Sequence, residues 1–362
     1  MGWIWMLCRH GSLLLLLKYS DNIEIRKDIK TNMRIFITGG AGYIGSAMAE
    51  VLLQQGHEVT VYDSLISGHR SAVPPEAHFI QADLADSHTL SKSLKEKPYD
   101  AVMHFAAFIE AGESMKKPFK FYQNNVFNSI ALIEETVKAG ILRFVLSSTA
   151  AVYASSEDLL SEESAIAPTN VYGHTKYMVE QVLAWYQQIY GLHYAALRYF
   201  NAAGGFPHRG EDHQPESHLI PLVLKVALGQ RPHISIFGTD YPTPDGTNIR
   251  DYIHIADLIS AHLLALEALS EEKRLVYNLG NGAGYSVLEV IETARRITQH
   301  PIPAIVAARR PGDSPRLVAS SERIRRELGW KPQYPELSQI ISSAWEWHRT
   351  HPYGYADSSE YS

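Results

Sequence analysis

Residues 38–46 read Thr-Gly-Gly-Ala-Gly-Tyr-Ile-Gly-Ser, between an apolar run at Arg34–Thr38 and a stretch of helical periodicity at 45–55. Glycine loses more freedom on ordering than any other residue, so this density belongs where the backbone must bend sharply or be approached closely. Gly39, Gly42 and Gly45 are spaced G-x-x-G-x-x-G, with Tyr43 and Ile44 inside the turn. A strand, a glycine turn and a helix N-terminus in succession offer backbone N–H groups and a partial positive charge to a pyrophosphate. That combination commits the chain to an α/β architecture whose first strand begins directly after Met33.

The rest of the pattern agrees. Ile44, Met48, Val51 and Leu52 form one stripe over 45–55, and Gly56 supplies the stop. Strands are expected at 58–62, 78–81, 101–105, 143–147 and 193–199, and helices at 87–96, 119–139 and 172–190. Alternation of this kind builds a Rossmann-like, doubly wound parallel sheet. Beyond Asn201 the texture changes: Pro, Gly and His become frequent over 204–217, and a second loop-rich stretch follows at 238–246. Helices are expected at 219–228, 255–269, 287–298 and 320–328. This part reads as a smaller C-terminal α/β substrate lobe over 204–352, some of its segments returning to the first domain (33–203), and 353–362 as a flexible tail. The lobe would close over the carboxyl edge of the sheet, where open α/β sheets bind ligands.

Bulk properties exclude some partners. The 362 residues carry a net charge of −6, which argues against nucleic acid or an anionic membrane as the main partner. Cys8 is the single cysteine, so no intramolecular disulfide can form, and a reducing, cytoplasmic setting fits. Neither a Cys/His cluster of zinc spacing nor an EF-hand loop is visible, so no metal is expected. Residues 1–32 do not conform to the rest. The apolar blocks at 3–7 and 13–17 are split by Arg9, His10 and Gly11 and are too short to span a bilayer. The preferred reading is a disordered, non-functional extension; a signal peptide or membrane anchor is the alternative.

Asp63 ends the strand after the glycine turn. There a carboxylate can accept hydrogen bonds from adenosine ribose hydroxyls and would repel a 2′-phosphate, which favours NAD over NADP. A turn or N-cap role is the plainer alternative. Asp83, followed by Leu84, ends the next strand and reads equally as a contact to the adenine edge or as a turn residue. Further on, Tyr172 and Lys176 stand four apart, on one face of a helix. An ammonium beside a phenol favours the phenolate, and a tyrosine so tuned can exchange a proton with a sugar hydroxyl while hydride leaves the same carbon. A surface tyrosine beside a solvated lysine is the alternative. Ser147-Ser148-Thr149, at a predicted strand end, shifts the balance, since a hydroxyl there can bridge substrate and Tyr172. For Thr149 alone, a strand-end cap is the alternative.

Over residues 33–351 the chain resembles the sugar-nucleotide 4-epimerases of the extended short-chain dehydrogenase/reductase family. Besides the glycine turn, the likeness rests on His104-Phe105-Ala106-Ala107, Gly112-Glu113-Ser114, 147–153, Tyr172-Gly173-His174-Thr175-Lys176, 198–204, 240–246, 250–254, Arg310-Pro311-Gly312-Asp313 and Glu327-Leu328-Gly329-Trp330. The resemblance implies a tightly held NAD that is not consumed. It implies a UDP-sugar substrate, UDP-galactose interconverted with UDP-glucose, and a homodimer through helices 119–139 and 172–190. Tyr172 would take the proton of the 4-hydroxyl, with Thr149 beside it and Lys176 below. Phe105, Ala106, Ala107, Asn124 and Phe200 would line the cofactor pocket. Asn201, His218, Leu219, Arg250, Arg310 and Asp313 would anchor the nucleotide, two arginines suiting a diphosphate. Leu317 would limit room beside the sugar 2-substituent.

Departures from the family pattern are Ala154 in place of a glycine, a shortened loop over 155–167, and Ile109 where some members carry lysine. A sibling dehydratase chemistry would need an acid and a base after Thr149, where Ala150 and Ala151 stand. A 4-epimerase of an N-acetylhexosamine, pentose or uronate nucleotide stays open. So does a non-catalytic NAD-sensing protein on the same fold, although that reading predicts loss of the Tyr172–Lys176 pair.

Overall fold

The computed structural model describes residues 32–310, 313–355 and 357. The expected extension lies, but for Asn32, outside the described residues. Seven parallel strands form the central sheet: β1 (Arg34–Thr38), β2 (Glu58–Asp63), β3 (His78–Gln81), β4 (Ala101–His104), β5 (Arg143–Thr149), β6 (His193–Tyr199) and β7 (Arg274–Leu279). Their order is β7-β6-β5-β4-β1-β2-β3. The chain leaves β1 toward β2 on one side and later returns to β4 on the other. The crevice between the carboxyl ends of β1 and β4, Thr38 opposite His104, is therefore the topological switch point.

The central strands are buried on both faces, as a parallel sheet covered on both sides requires. Phe36, Tyr62, Val102, Phe144, Leu146, Tyr194 and Ala196 point to one face and share a core with Leu90, Leu94, Leu132, Ile133, Val179 and Leu183 from the covering helices. The helix Tyr43–Gln54 buries its Ala47, Met48, Val51 and Leu52 stripe. The helix Val171–Tyr190 starts where the Asn170 side chain accepts from Gly173 N at 2.8 Å, and stops at Gly191 with φ +71°.

A second apolar core joins the helices Leu219–Ala227, Val287–Thr298 and Leu337–Thr350 through Leu224, Ile291, Ile340 and Ile341. Strand β7 and the helix Leu337–Thr350 were not expected from sequence. The first adds a seventh strand beside β6, so chain from beyond residue 204 completes the first sheet. The expected helix over 119–139 is interrupted: Pro118–Phe121 and Asn128–Lys138 are α-helical, and Tyr122–Phe127 between them is a π-helix. In the stretch read as a tail, Tyr355 is buried, and its hydroxyl accepts from Gly210 N at 3.2 Å. Among the described residues, no helix is long and apolar enough to cross a membrane.

Candidate active site

A cleft of about 470 Å³ opens at the switch point. Gly39, Gly42, Tyr43, Ile44 and Gly45 form its floor, with Asp63, Phe105, Ala106, Ala107, Asn124, Thr149, Tyr172, Phe200, Asn201, His218, Arg250, Asp313 and Leu317 around it. The glycines do different work. Gly39 has φ +73°, and a Cβ there would meet Ala106 N at 2.4 Å; one on Gly45 would meet Gly39 O at 2.2 Å. Both are closed to any side chain. A Cβ on Gly42 would touch only Gly39 O, at an ordinary 3.4 Å, so its cleft side stays open. Gly42 is also the N-cap of the helix Tyr43–Gln54, and no side chain caps it. This is the cradle that a pyrophosphate requires, and the residues fit NAD.

Asp63 is buried, its Oδ2 accepting from Ala41 N and its Oδ1 from Leu65 N, each at 2.9 Å. Burial pushes its pKa up, and these two bonds pull against it. The carboxylate thus pins the glycine turn while lining the cleft. Asp83 makes an Asx turn with Ala85 N at 2.8 Å, and Leu84 is buried in the core. Neither reaches the cleft wall.

Thr149 is the last residue of β5, opposite Tyr199 of β6, and Tyr172 lies one residue into its helix. Ser114 Oγ accepts from Tyr172 N at 3.1 Å and fixes the start of that helix against the loop after β4. Burial pushes the Tyr172 phenol up to about 12; a hydrogen bond with Thr149 draws it back, and the Glu110 charge pushes it further. Lys176 is buried, and its Nζ donates to Ser147 O at 2.7 Å. Burial lowers its pKa to about 8, against the Glu180 carboxylate, which raises it. Lys176 sits behind the cleft wall. Sequence alone missed what holds this group. Glu180 accepts from Ser148 Oγ at 2.5 Å and from Arg198 Nη2 at 2.7 Å, and Arg198 Nη1 donates to Tyr153 at 2.7 Å. Asn125, from the π-helix, holds Phe108 by both its backbone groups at 2.9 Å.

On the opposite wall, Arg250 forms an ion pair with Asp313, whose Oδ2 also accepts from Asn248 at 2.8 Å. Arg310 is turned away, its guanidinium 3.9 Å from the Phe237 ring, and Leu219 packs into the second core. His218 meets Glu211 and Glu216. Burial opposes its charge, but the two carboxylates outweigh this and hold it well above an ordinary histidine.

Comparison with known proteins agrees with this geometry. The sequence model of the NAD dependent epimerase/dehydratase family matches residues 35–280. The UDP-glucose 4-epimerase of Streptococcus mutans serotype c is 49% identical over 331 residues, 90% of this chain and 99% of that protein. A crystal structure of a UDP-glucose 4-epimerase superposes with a TM-score of 0.86 at 49% identity, covering 89% of this chain and 99% of that one. The Bifidobacterium longum enzyme, crystallised with NAD+ and UDP, gives 0.85 at 33% identity, covering 89% and 100%. A glycine cradle at the switch point, a tyrosine–threonine–lysine group beside it and likeness along nearly the whole described chain converge: the protein belongs to the NAD dependent epimerase/dehydratase family.

Proposed function

We propose that the chain interconverts UDP-galactose and UDP-glucose by inverting C4 through a transient 4-keto sugar, with NAD retained throughout. The observation that carries this reading is the single cleft that joins the glycine cradle to Tyr172 and Thr149. Bound NAD supplies the hydride acceptor and donor and, when oxidised, a positive charge that favours the Tyr172 phenolate. Tyr172 takes the 4-hydroxyl proton, and Thr149, bonded to it, orients the same hydroxyl. Lys176, fixed on the Ser147 carbonyl, keeps a cationic field behind the phenol below pH 8. Inversion requires the 4-keto sugar to turn over while its nucleotide stays held. Asn201, His218, Arg250 and Asp313, which line the cleft, would hold the nucleotide, and Leu317 would bound the sugar's space, whereas Arg310 and Leu219 face elsewhere. Ala150 and Ala151 offer no acid or base for a dehydration. The large apolar side chains exposed on the two helices named for dimer contact, Phe119, Phe127, Trp185 and Ile189, support a homodimer. A chain with one cysteine suits the cytoplasm.

The experiment is to mix purified protein with UDP-galactose, without added cofactor, and follow the anomeric signals by proton NMR. Growth of UDP-glucose to a fixed ratio is expected. Tyr172→Phe should retain NAD yet lose turnover by about 10²–10⁴-fold. Conversion of only UDP-N-acetylgalactosamine or UDP-xylose would move the substrate, and no conversion with NAD added would refute the reading.

A further inference from the structure

The segment that brings His218 to the cleft also carries Glu211, His213 and Glu216. One ligating atom from each lies within 4.8 Å of all the others. His218 Nδ1 stands 2.8 Å from both Glu211 Oε1 and Glu216 Oε1, and His213 Nδ1 stands 3.3 Å from Glu211 Oε1. Donors around a tetrahedral ion with bonds of about 2.0–2.1 Å are roughly 3.3 Å apart, so one would enter as the 2.8 Å pairs open and the wider separations, up to 4.8 Å, close. The hydrogen bonding of the group is also incomplete. Glu216 Oε2 is buried without a hydrogen-bond partner in a side chain only 3% exposed, and His213 Nδ1 has only its 3.3 Å approach to Glu211. A buried carboxylate oxygen with nothing to accept is costly. Glu216 Oε1, by contrast, accepts from Ser217 N and His218 N at 2.7 Å, which fixes the carboxylate in place.

We propose that Glu211, His213, Glu216 and His218 bind a divalent transition-metal ion, zinc by preference, at the wall of the cleft. Two imidazoles and two carboxylates suit zinc and not magnesium, which favours an all-oxygen shell. Any proton that His218 shares with the carboxylates leaves as the metal enters, so uptake releases acid. Glu211, His213 and His218 line the cleft beside Arg250 and Asp313. The ion therefore sets a divalent positive charge there, and an anionic oxygen joins it only by expanding the four-ligand shell to five. Its use by the diphosphate of a nucleotide rests on the function proposed above.

The test uses the full-length protein with its retained NAD, stripped by chelator and dialysed against zinc, with metal measured by elemental analysis. Stoichiometric zinc is expected in the wild type, with loss in both His213→Ala and Glu216→Gln and unchanged metal-free melting temperatures. The conservative Glu216→Gln keeps an acceptor for Ser217 and His218 and guards against a folding defect. Zinc should also raise the wild-type melting temperature and leave both variants unmoved. Substoichiometric zinc in the wild type, or equal zinc in the variants, overturns the site. Uptake is read without substrate, so it stands or falls apart from the epimerase reading. UDP titrated calorimetrically should bind roughly tenfold more tightly with zinc; equal affinity overturns the ligating role.

Discussion

Gly39 occupies the crevice between β1 and β4 so tightly that its hydrogen is a structural element. In Gly39→Ala the new methyl would meet the Ala106 backbone at a left-handed φ. We expect a loss of about 1–3 kcal/mol from backbone strain alone, together with loss of retained NAD. A urea titration and the absorbance of cofactor released on denaturation would check both. The charge on Lys176 yields a pH prediction. Its pKa of about 8 makes it an ammonium below that pH and an amine above it. Turnover should thus fall on the alkaline side with a midpoint near 8. Glu180 raises this pKa, so Glu180→Gln should move the alkaline limb to lower pH, a shift that a purely structural defect would not produce. The glycines, Tyr172 and Lys176 were legible in the sequence because each acts within one turn of chain. Glu180–Arg198 was not, because its partners come from a helix and a strand 18 residues apart and meet only once the sheet has formed. The cluster at 211–218 was missed as well; its His-x-x-x-x-His spacing has no cysteine pair to accompany it, and only the path of the loop gathers the four side chains.

At the scale of elements, the interrupted helix after β4 governs the side of the cleft that holds Asn124. The π-turn at Tyr122–Phe127 sets Asn125 against Phe108, where its amide satisfies one N–H and one C=O of a loop lining the cleft. Asn125→Ala removes both partners. We expect a cost of about 1–3 kcal/mol, visible as a lower urea midpoint, and weaker NAD retention from a loosened Phe108–Glu110 loop. Apolar periodicity identified the helical character of 119–139 but not the π-turn, since the six residues Tyr122–Phe127 are too few to reveal a changed period. Strand β7 escaped for another reason. Its apolar residues Leu275, Tyr277 and Leu279 follow a charged run, and its place beside β6 comes from a pairing about eighty residues away in sequence, which no local pattern records.

For the whole molecule, two faces matter beyond the cleft. Trp185 and Ile189 are each more than half exposed on the helix Val171–Tyr190, the same helix that presents Tyr172 and Lys176. If this face joins two copies, Trp185→Glu should yield monomers by light scattering and weaken turnover through the shared helix. The second face is the clasp at the C-terminal side. Tyr355 stacks on His69 with ring centroids 4.9 Å apart, packs on Trp347, and donates its backbone N–H to Asp212. Asp212 lies within the loop that supplies Glu211, His213 and His218 to the cleft; His69 holds it from the N-terminal side, and its second anchor is made 143 residues later. On the ribosome, chains emerge from the N-terminal side, so the nucleotide cradle can assemble while this wall still lacks its C-terminal fastening. A nascent chain would then be able to hold dinucleotide before it can hold a sugar nucleotide, and competence for the two ligands would arrive in a fixed temporal order.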